Sequence, residues 1–556
     1  MGMIDIGYGF QFPEEYWTCE YQSLFPQKFL NLLAHLVSES APSQDILLMR
    51  RHDRQKIWDA GELPEFPDRN SEAVTGDWKV DLIPKELRKR RVEITGPANS
   101  TKMVINMLSR NEKGVRADMA MLDFEDSMKP SFYNVLSGYR NVIGAVEGTL
   151  SPRIELNDMA YVMVRVRGLH LRENNLLFEG EPVPAGLLDL VVCFYHTACI
   201  YLDRNHTPKY YIPKCEHYLE ARWWNDLFVS LQARMGLPKG TLKATFLIET
   251  LPATFQVEEI LFEIKEHAAG LNVGRWDKIF SDIKVLGKHK DRILGDRSSI
   301  TMGKSWMENY AKRVIKICHE RGAFAMGGMS AFTPGKTAEL RDEQTKKVRA
   351  DKEREASWGH DGCWVSHPYF IDIAMEAFTR DNQLDMTLPE FDKYSNVLPI
   401  GEGPYTLKGL RTNIRVGIAF MEGWLRDIGC VSFENLMEDL ATLEISRAQI
   451  WQWIYHGITL ESGEKVTAEF VNTFFDEELH SMMNEYPDIE WNKATKFARK
   501  LFLKSELQEF LTTESDPVSF TKGFESWNSS KELPGNLNYH GRVISDGEEL
   551  SGSTLL

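Results

Sequence analysis

Residues 119–127 read MAMLDFEDS, an apolar run that meets three acids, Asp123, Glu125 and Asp126, in its last five positions. The run MAMLDF has the length and apolar character of a β-strand. Seven more runs share that character: RVEIT (91–95), YVMVRV (161–166), KYYIPK (209–214), KATFLIE (243–249), KIFSDI (278–283), AFAMGG (323–328) and GCWVSH (362–367). Amphipathic helical patterns lie between most of them, and eight such units predict an α/β protein built on a TIM-type (β/α)8 barrel. Their C-terminal ends carry charge: Glu125 and Asp126 follow the first, and Arg165, Lys214, Glu249 and His367 end four others. In a parallel barrel these ends meet on one face, where active sites are built. Each residue alone is as readily a solvent-exposed strand terminus; five ends behaving alike argue for a shared pocket.

The flanks differ from this middle. Residues 1–85, with PQKFLNLLAHLVSE and APSQDILLMRRHDRQKIWDAG between Pro-rich turns, predict an N-terminal helical clasp, and residues 86–385 the barrel. Strand signals fade beyond 385, and four amphipathic patterns from TNIRVGIAFMEGWL onward predict a C-terminal helical domain over 386–525. Residues 526–556 are polar and rich in Gly and Ser, a tail. The apolar stretch LLDLVVCFYHTACIYL (187–202), interrupted by Asp189 and His196, is too short for a membrane span and predicts a buried helix.

A formal net charge of −16 argues against nucleic-acid and anionic-membrane partners, which need a basic surface, but leaves room for an anionic substrate held by local arginines or a metal. The run RKRR (88–91) is expected to be a solvated helix end. Seven scattered cysteines without a CxxC pair fit free thiols in a reducing compartment. With no secretory pattern and no Ser-Lys-Leu ending, the expected location is the cytoplasm.

Glu249, at a strand end, and Asp277, after the glycine-rich GLNVGRWD (270–277), are candidate metal ligands, because magnesium is commonly held by one or two carboxylates plus water and substrate oxygens. The alternative is a salt bridge for Glu249 and a cap for Asp277. Gly270 and Gly274 permit close backbone approach, so the amides of Arg275, Trp276 and Asp277 can face a bound carboxylate; equally, the stretch is a tight turn that ends a helix. Arg165 and Arg167, two apart in VMVRVRG, are expected on one face of their strand, suited to a carboxylate or an enolate, or to pairing with the 123–126 acids. Glu438 and Asp439 open an amphipathic helix, where they either complement its dipole or deliver a general base to the barrel mouth. The two histidines of GHDGCWVSHP lack zinc spacing and are expected to shape that mouth, and RDEQTKKVRADKEREA is a solvated helix.

In their order along the chain, LDFEDS, VRVRGLHL, IPK, AAGLNVGRWDKIF, DRSSITM, RGAFAMGGM, GHDGCWVSHP, LRTNIRVGIAFMEGWL and NLMEDLATLEISRAQIWQWI resemble malate synthase of the A type, from about residue 45 to about 515. That resemblance implies magnesium-dependent condensation of acetyl-CoA with glyoxylate to malate and CoA in the glyoxylate cycle. It further implies Arg165 as the catalytic arginine, Asp439 as the base and Glu249 and Asp277 as magnesium ligands. Gly274, Arg275, Trp276 and Asp277 would bind glyoxylate, and Asp123, Glu125 and Asp126 would surround the metal's waters or Arg165. The chain departs from the family pattern at Lys278, where tyrosine is usual, at Phe132 for tryptophan and at Gly295 for proline. A citrate-lyase-type barrel and a silent acyl-CoA-binding protein are the competing readings, and the sequence leaves monomer and homo-oligomer equally open.

Overall fold

A computed structural model of the chain describes residues 2–152 and 154–513. The tail expected over 526–556, and the last residues assigned to the C-terminal domain, lie outside these. In chain order the strands are β1 Met3–Gly7, β2 Phe10–Pro13, β3 Val92–Pro97, β4 Met119–Asp123, β5 Tyr161–Arg165, β6 Arg172–Phe178, β7 Glu181–Pro184, β8 Lys209–Ile212, β9 Lys243–Ile248, β10 Ala268–Val273, β11 Phe324–Ser330, β12 Gly362–Val365, β13 Val431–Phe433 and β14 Leu436–Glu438. Eight of them close a barrel, in the order β3-β4-β5-β8-β9-β10-β11-β12 and back to β3, every pair parallel.

Seven of the eight predicted strands are barrel strands. The exception is KIFSDI, which lies inside the helix Arg275–Leu286, while the strand at that point in the barrel is AAGLNV just before it. The periodicity explains the correction: Ile279, Ile283 and Leu286 recur at helical spacing and are buried, whereas all six residues of β10 are buried, as a barrel strand requires. Gly270 is needed there because a Cβ would stand 2.3 Å from the Phe324 carbonyl oxygen of β11. The glycine-rich stretch is therefore a strand-to-helix corner and not the end of a helix.

The first 13 residues also depart from a helical reading. β1 and β2 form a hairpin and continue through β6 and β7 as a four-stranded antiparallel sheet. Ile6, Phe10 and Phe12 face inward at alternating positions, and Gly7, Tyr8 and Gly9 turn the chain at positive φ. A single helix, Gln27–Asp59, then runs through Pro42 and joins the two helical pieces expected there. The apolar helix Ala185–Asp203 is buried against Phe132–Glu147, where Tyr139 donates to Asp189 at 2.6 Å. Arg90 is also no solvated helix end: it is buried at the foot of the barrel, holding Glu93 at 2.7 Å and the Tyr211 hydroxyl at 2.8 Å.

After the barrel, the helices Leu407–Leu425, Leu440–His456, Ala468–Glu485 and Asn492–Phe502 enclose a second apolar core that includes Phe420, Trp453, Phe475 and Phe502. The helix Leu440–His456 joins the two cores, giving Ile445 and Ala448 to the barrel side and Leu443, Ile450 and Trp453 to the other.

Lys278 proves to be turned away from the acids at the strand ends. Its ammonium is buried against Asp282 one turn on, and lies 5.7 Å over the Tyr310 ring. Breaking such a pair strands a buried charge, so Lys278→Met is expected to cost about 3–5 kcal/mol in denaturant unfolding, most of it recovered by adding Asp282→Leu. Burial pushes the Asp282 carboxyl up to about 6 even with the ammonium beside it. The loss in Lys278→Met should therefore shrink as pH is lowered and Asp282 takes up a proton.

Candidate active site

The loop after β4 folds around one carboxylate. Asp123 Oδ1 accepts from the Glu125 amide at 2.9 Å, and Oδ2 from the Ser127 amide at 2.9 Å and hydroxyl at 2.6 Å. From the end of β5, Arg165 grips the same two oxygens, Nε and Nη2 each at 2.6 Å. Its remaining Nη1 lies 3.4 Å from both Glu125 Oε2 and Asp126 Oδ2, and its guanidinium sits 5.7 Å over the Trp364 ring. Arg167 does not share this face. β5 ends at Arg165, and beyond it the chain turns, so Arg167 pairs instead with Asp189 at 2.8 Å and Glu173 at 2.7 Å.

Lys214, just past β8, stands among the same acids. Its ammonium contacts Glu125, both oxygens of Asp126 at 2.9 Å, and Asp277 Oδ1 at 3.2 Å. Its backbone is held at φ +53°, a left-handed conformation unusual for a non-glycine residue. Two groups hold it there: the Lys214 amide donates to Glu249 Oε1 at 2.9 Å, and the Lys214 carbonyl accepts from Arg51 Nη2 at 2.8 Å. Arg51, from the long N-terminal helix, is itself clamped by Glu220 at 2.8 and 2.7 Å.

Glu249 follows β9, and Asp277 is in the first turn of the helix Arg275–Leu286, with Gly274 as N-cap. Gly274 has no room for a side chain, since a Cβ would stand 2.7 Å from Glu249 Oε2. The Gly274 amide donates to the Tyr310 hydroxyl at 3.1 Å, and the amides of Arg275, Trp276 and Asp277, being the first of the helix, have no intrahelical carbonyl to donate to, which makes the helix start a natural seat for a carboxylate. The side chains of Arg275 and Trp276 point elsewhere. Arg275 holds the Ile300 carbonyl at 2.6 Å, and Trp276 lies between the guanidinium groups of Arg275, at 4.5 Å, and Arg297, at 5.7 Å.

Glu438 and Asp439 separate. Glu438 is committed to Arg297 at 2.9 Å. Asp439 caps the helix Leu440–His456 through a reciprocal box with Thr442, and the Leu440 amide donates to the Asp126 carbonyl at 3.1 Å, tying this helix start to the acid loop. Burial, with the Asp126 charge adding to it, raises the Asp439 carboxyl to about 7. Burial and neighbouring acids, Asp126 first, also push Asp277 and Glu125 well above the usual carboxylate range.

A cavity beside these groups is lined by Glu249, Asp277, Lys214, Lys284, Phe280 and Phe510. Phe510 comes from the segment after the last helix and stacks on His170 at 4.4 Å. Sequence reasoning had no signal for Phe510, Arg51 or Arg297 as site neighbours, and saw Lys214 only as a charged strand end. Of the two histidines in GHDGCWVSHP, only His367 is at the mouth; His360 precedes β12 at the opposite end of the barrel.

Among the described residues no three His, Cys, Asp or Glu side chains converge as a ready-made ion cage. The donor set suits magnesium nonetheless, which takes one or two carboxylates and keeps water and substrate oxygens. Asp277 Oδ1 and Glu125 Oε2 are buried and accept no hydrogen bond, an arrangement that a divalent cation relieves.

Residues 161–394 match the family model described as malate synthase, TIM barrel domain, and residues 404–516 that described as malate synthase, C-terminal. Malate synthase A of Escherichia coli (strain K12) is 41% identical over 502 residues, covering 87% of this chain and 93% of its own. The malate synthase of Myxococcus xanthus (strain DK1622) is 42% identical over 518 residues, covering 89% and 94%. A citrate lyase beta subunit from M. tuberculosis aligns with 53% of this chain at 15% identity and a TM-score of 0.35, too remote to bear on function.

Proposed function

The chain belongs to the malate synthase family, acyltransferases acting on acetyl-CoA and glyoxylate, and we propose that its barrel mouth performs that condensation with Asp439 and Arg165 as the catalytic groups. The observation that carries the assignment is the seating of Asp439: a buried carboxyl, fixed by a helix cap against the loop that Arg165 grips, and raised to about 7 by that burial.

In this reading Glu249 and Asp277 hold magnesium, and the bound ion would polarise the aldehyde of glyoxylate. The amides at the start of the helix Arg275–Leu286 receive the glyoxylate carboxylate. Asp439 takes a proton from the methyl group of acetyl-CoA, and the Arg165 guanidinium stabilises the negative charge that passes to the thioester oxygen. The methylene carbon then attacks the aldehyde carbon, forming the carbon–carbon bond of malyl-CoA, whose thioester is hydrolysed to malate and CoA. Burial of the whole group keeps water away from the enolate until the bond has formed.

Asp277→Ala tests the metal assignment. Loss of even an outer partner of a metal ligand costs about 10–100-fold in metal affinity, so removing the ligand should weaken Mn2+ binding by at least that and raise the glyoxylate KM in parallel. Calorimetry with Mn2+ and a thiol-release assay read the two effects. Unchanged metal binding and glyoxylate KM would remove Asp277 from the ion's ligands.

A further inference from the structure

Lys214 is not needed for any step above, yet the fold takes trouble to place it. Its backbone is left-handed, fixed by Glu249 on the amide and by Arg51, from the N-terminal segment, on the carbonyl. Its ammonium has three hydrogens. Four carboxylate oxygens surround it: Glu125 Oε1, Asp126 Oδ1 and Oδ2, and Asp277 Oδ1. The first three are hydrogen-bonded. Asp277 Oδ1, at 3.2 Å, is left without a hydrogen bond although it is buried. The other cation of the cluster, Arg165, is shared among Asp123, Glu125 and Asp126, and among the described contacts it makes none with Asp277.

We infer that Lys214 is a positioning residue for the metal, a built-in counter-cation that keeps Glu125, Asp126 and Asp277 together and gives up Asp277 when a divalent ion enters. The inference rests on the reading of Glu249 and Asp277 as ligands. Asp277 is the oxygen donor that the lysine holds least, so it can pass to the ion while the ammonium stays with Glu125 and Asp126. A positive charge 3.2 Å from an oxygen that would hold the ion would weaken its binding and so keep the metal exchangeable.

The test is Mn2+ titration of the full-length wild type, Lys214→Met and Lys214→Gln by calorimetry, with thermal melting of each with and without Mn2+. A unit charge a few ångströms away, even at a high effective dielectric, is expected to matter by about ten-fold or more in affinity. Both neutral variants should therefore bind Mn2+ at least about ten-fold more tightly than wild type. Without metal both should melt lower than wild type, and Mn2+ should restore them. Lys214→Arg, which keeps the charge, should bind Mn2+ close to wild type. Tighter binding is an outcome that mere structural damage does not produce. Equal or weaker binding in the neutral variants overturns the inference, as does failure of both to fold even with Mn2+, because the lysine would then be a fixed structural cation. Wild type that binds no Mn2+ at all would bring down the metal assignment itself, a result distinct from either.

Discussion

Asp439→Asn should lower CoA release from acetyl-CoA and glyoxylate by about 10³-fold, within the usual range for losing a positioned general base. The substitution separates chemistry from folding unusually well. Asparagine is as good an N-cap as aspartate, so the box with Thr442 and the start of the helix Leu440–His456 survive it. Only the ability to accept a proton is lost. In wild type the activity should fall as pH drops through about 7, because burial raises the carboxyl to about 7 and the base is then protonated; a bound divalent cation moves that limb lower. The variant's residual activity should show no such limb. The folded state binds this proton more tightly than the unfolded chain, so the contribution of Asp439 to stability falls as pH rises through about 7. Above that pH Asp439→Asn should melt no lower than wild type, since it removes an ionised carboxylate that Asp126 repels. Thiol release across pH reads the loss of rate and the acid limb, and melting curves of both proteins across pH read the effect on stability. CoA release unchanged in the variant would sink the assignment of the base.

What the sequence shows and hides follows from the range of the interactions. Barrel strands such as MAMLDF are legible because burial on both faces demands an unbroken apolar run, a local property. KIFSDI misleads for a related reason. Over six residues an apolar run fits a strand as well as one turn and a half of helix, and the arbiter, Leu286, lies three residues further on. β1 and β2 are hidden by length: four or five residues of alternation are too few, and β6, the strand that extends their hairpin into a sheet by pairing with β2, lies some 160 residues away in sequence.

The site divides in the same way. Glu249, Arg165 and the 123–126 acids could be placed from their strand ends, since the topology of a parallel barrel carries every such end to one face. For Asp277 and Asp439 the sequence itself offers a ligand and a base only beside an ordinary helix-start role, and resemblance decides between them, because a first-turn acid is as readily a cap; in the structure Asp439 is a cap as well. Lys214 required something no pattern encodes, a left-handed backbone imposed by Glu249 and by Arg51 across 163 residues of chain. Lys278 shows the converse. It is adjacent to Asp277 in sequence, but one step along a helix turns a side chain by about 100°, and the ammonium ends on Asp282.

Arg165→Lys is the second large effect expected. Asp123 fixes the guanidinium through two parallel bonds of 2.6 Å, and the ring of Trp364 lies beneath it. Trp364 is fixed in turn, donating to Glu93 at 2.9 Å, and Glu93 is held by Arg90 at 2.7 Å. In the proposed mechanism the cation is thus fixed before substrate arrives and would need no reorganisation as enolate charge grows, which is where electrostatic catalysis has its effect. Lysine keeps the charge but is a point donor, unable to satisfy both Asp123 oxygens and still face the substrate. The expected result is a fall in kcat of about 10²–10³-fold, the size seen when one aimed donor is lost. The acetyl-CoA KM should move little, because the interaction strengthens only as the transition state forms. The acid limb of the pH profile should remain, since the base is untouched. Arg165→Gln should lose more, and should also unfold more easily by about 3–5 kcal/mol, having stranded Asp123 in the barrel. If Arg165→Lys instead kept its kcat and raised only the glyoxylate KM, the guanidinium would be a substrate anchor and the enolate would have to be stabilised by another group.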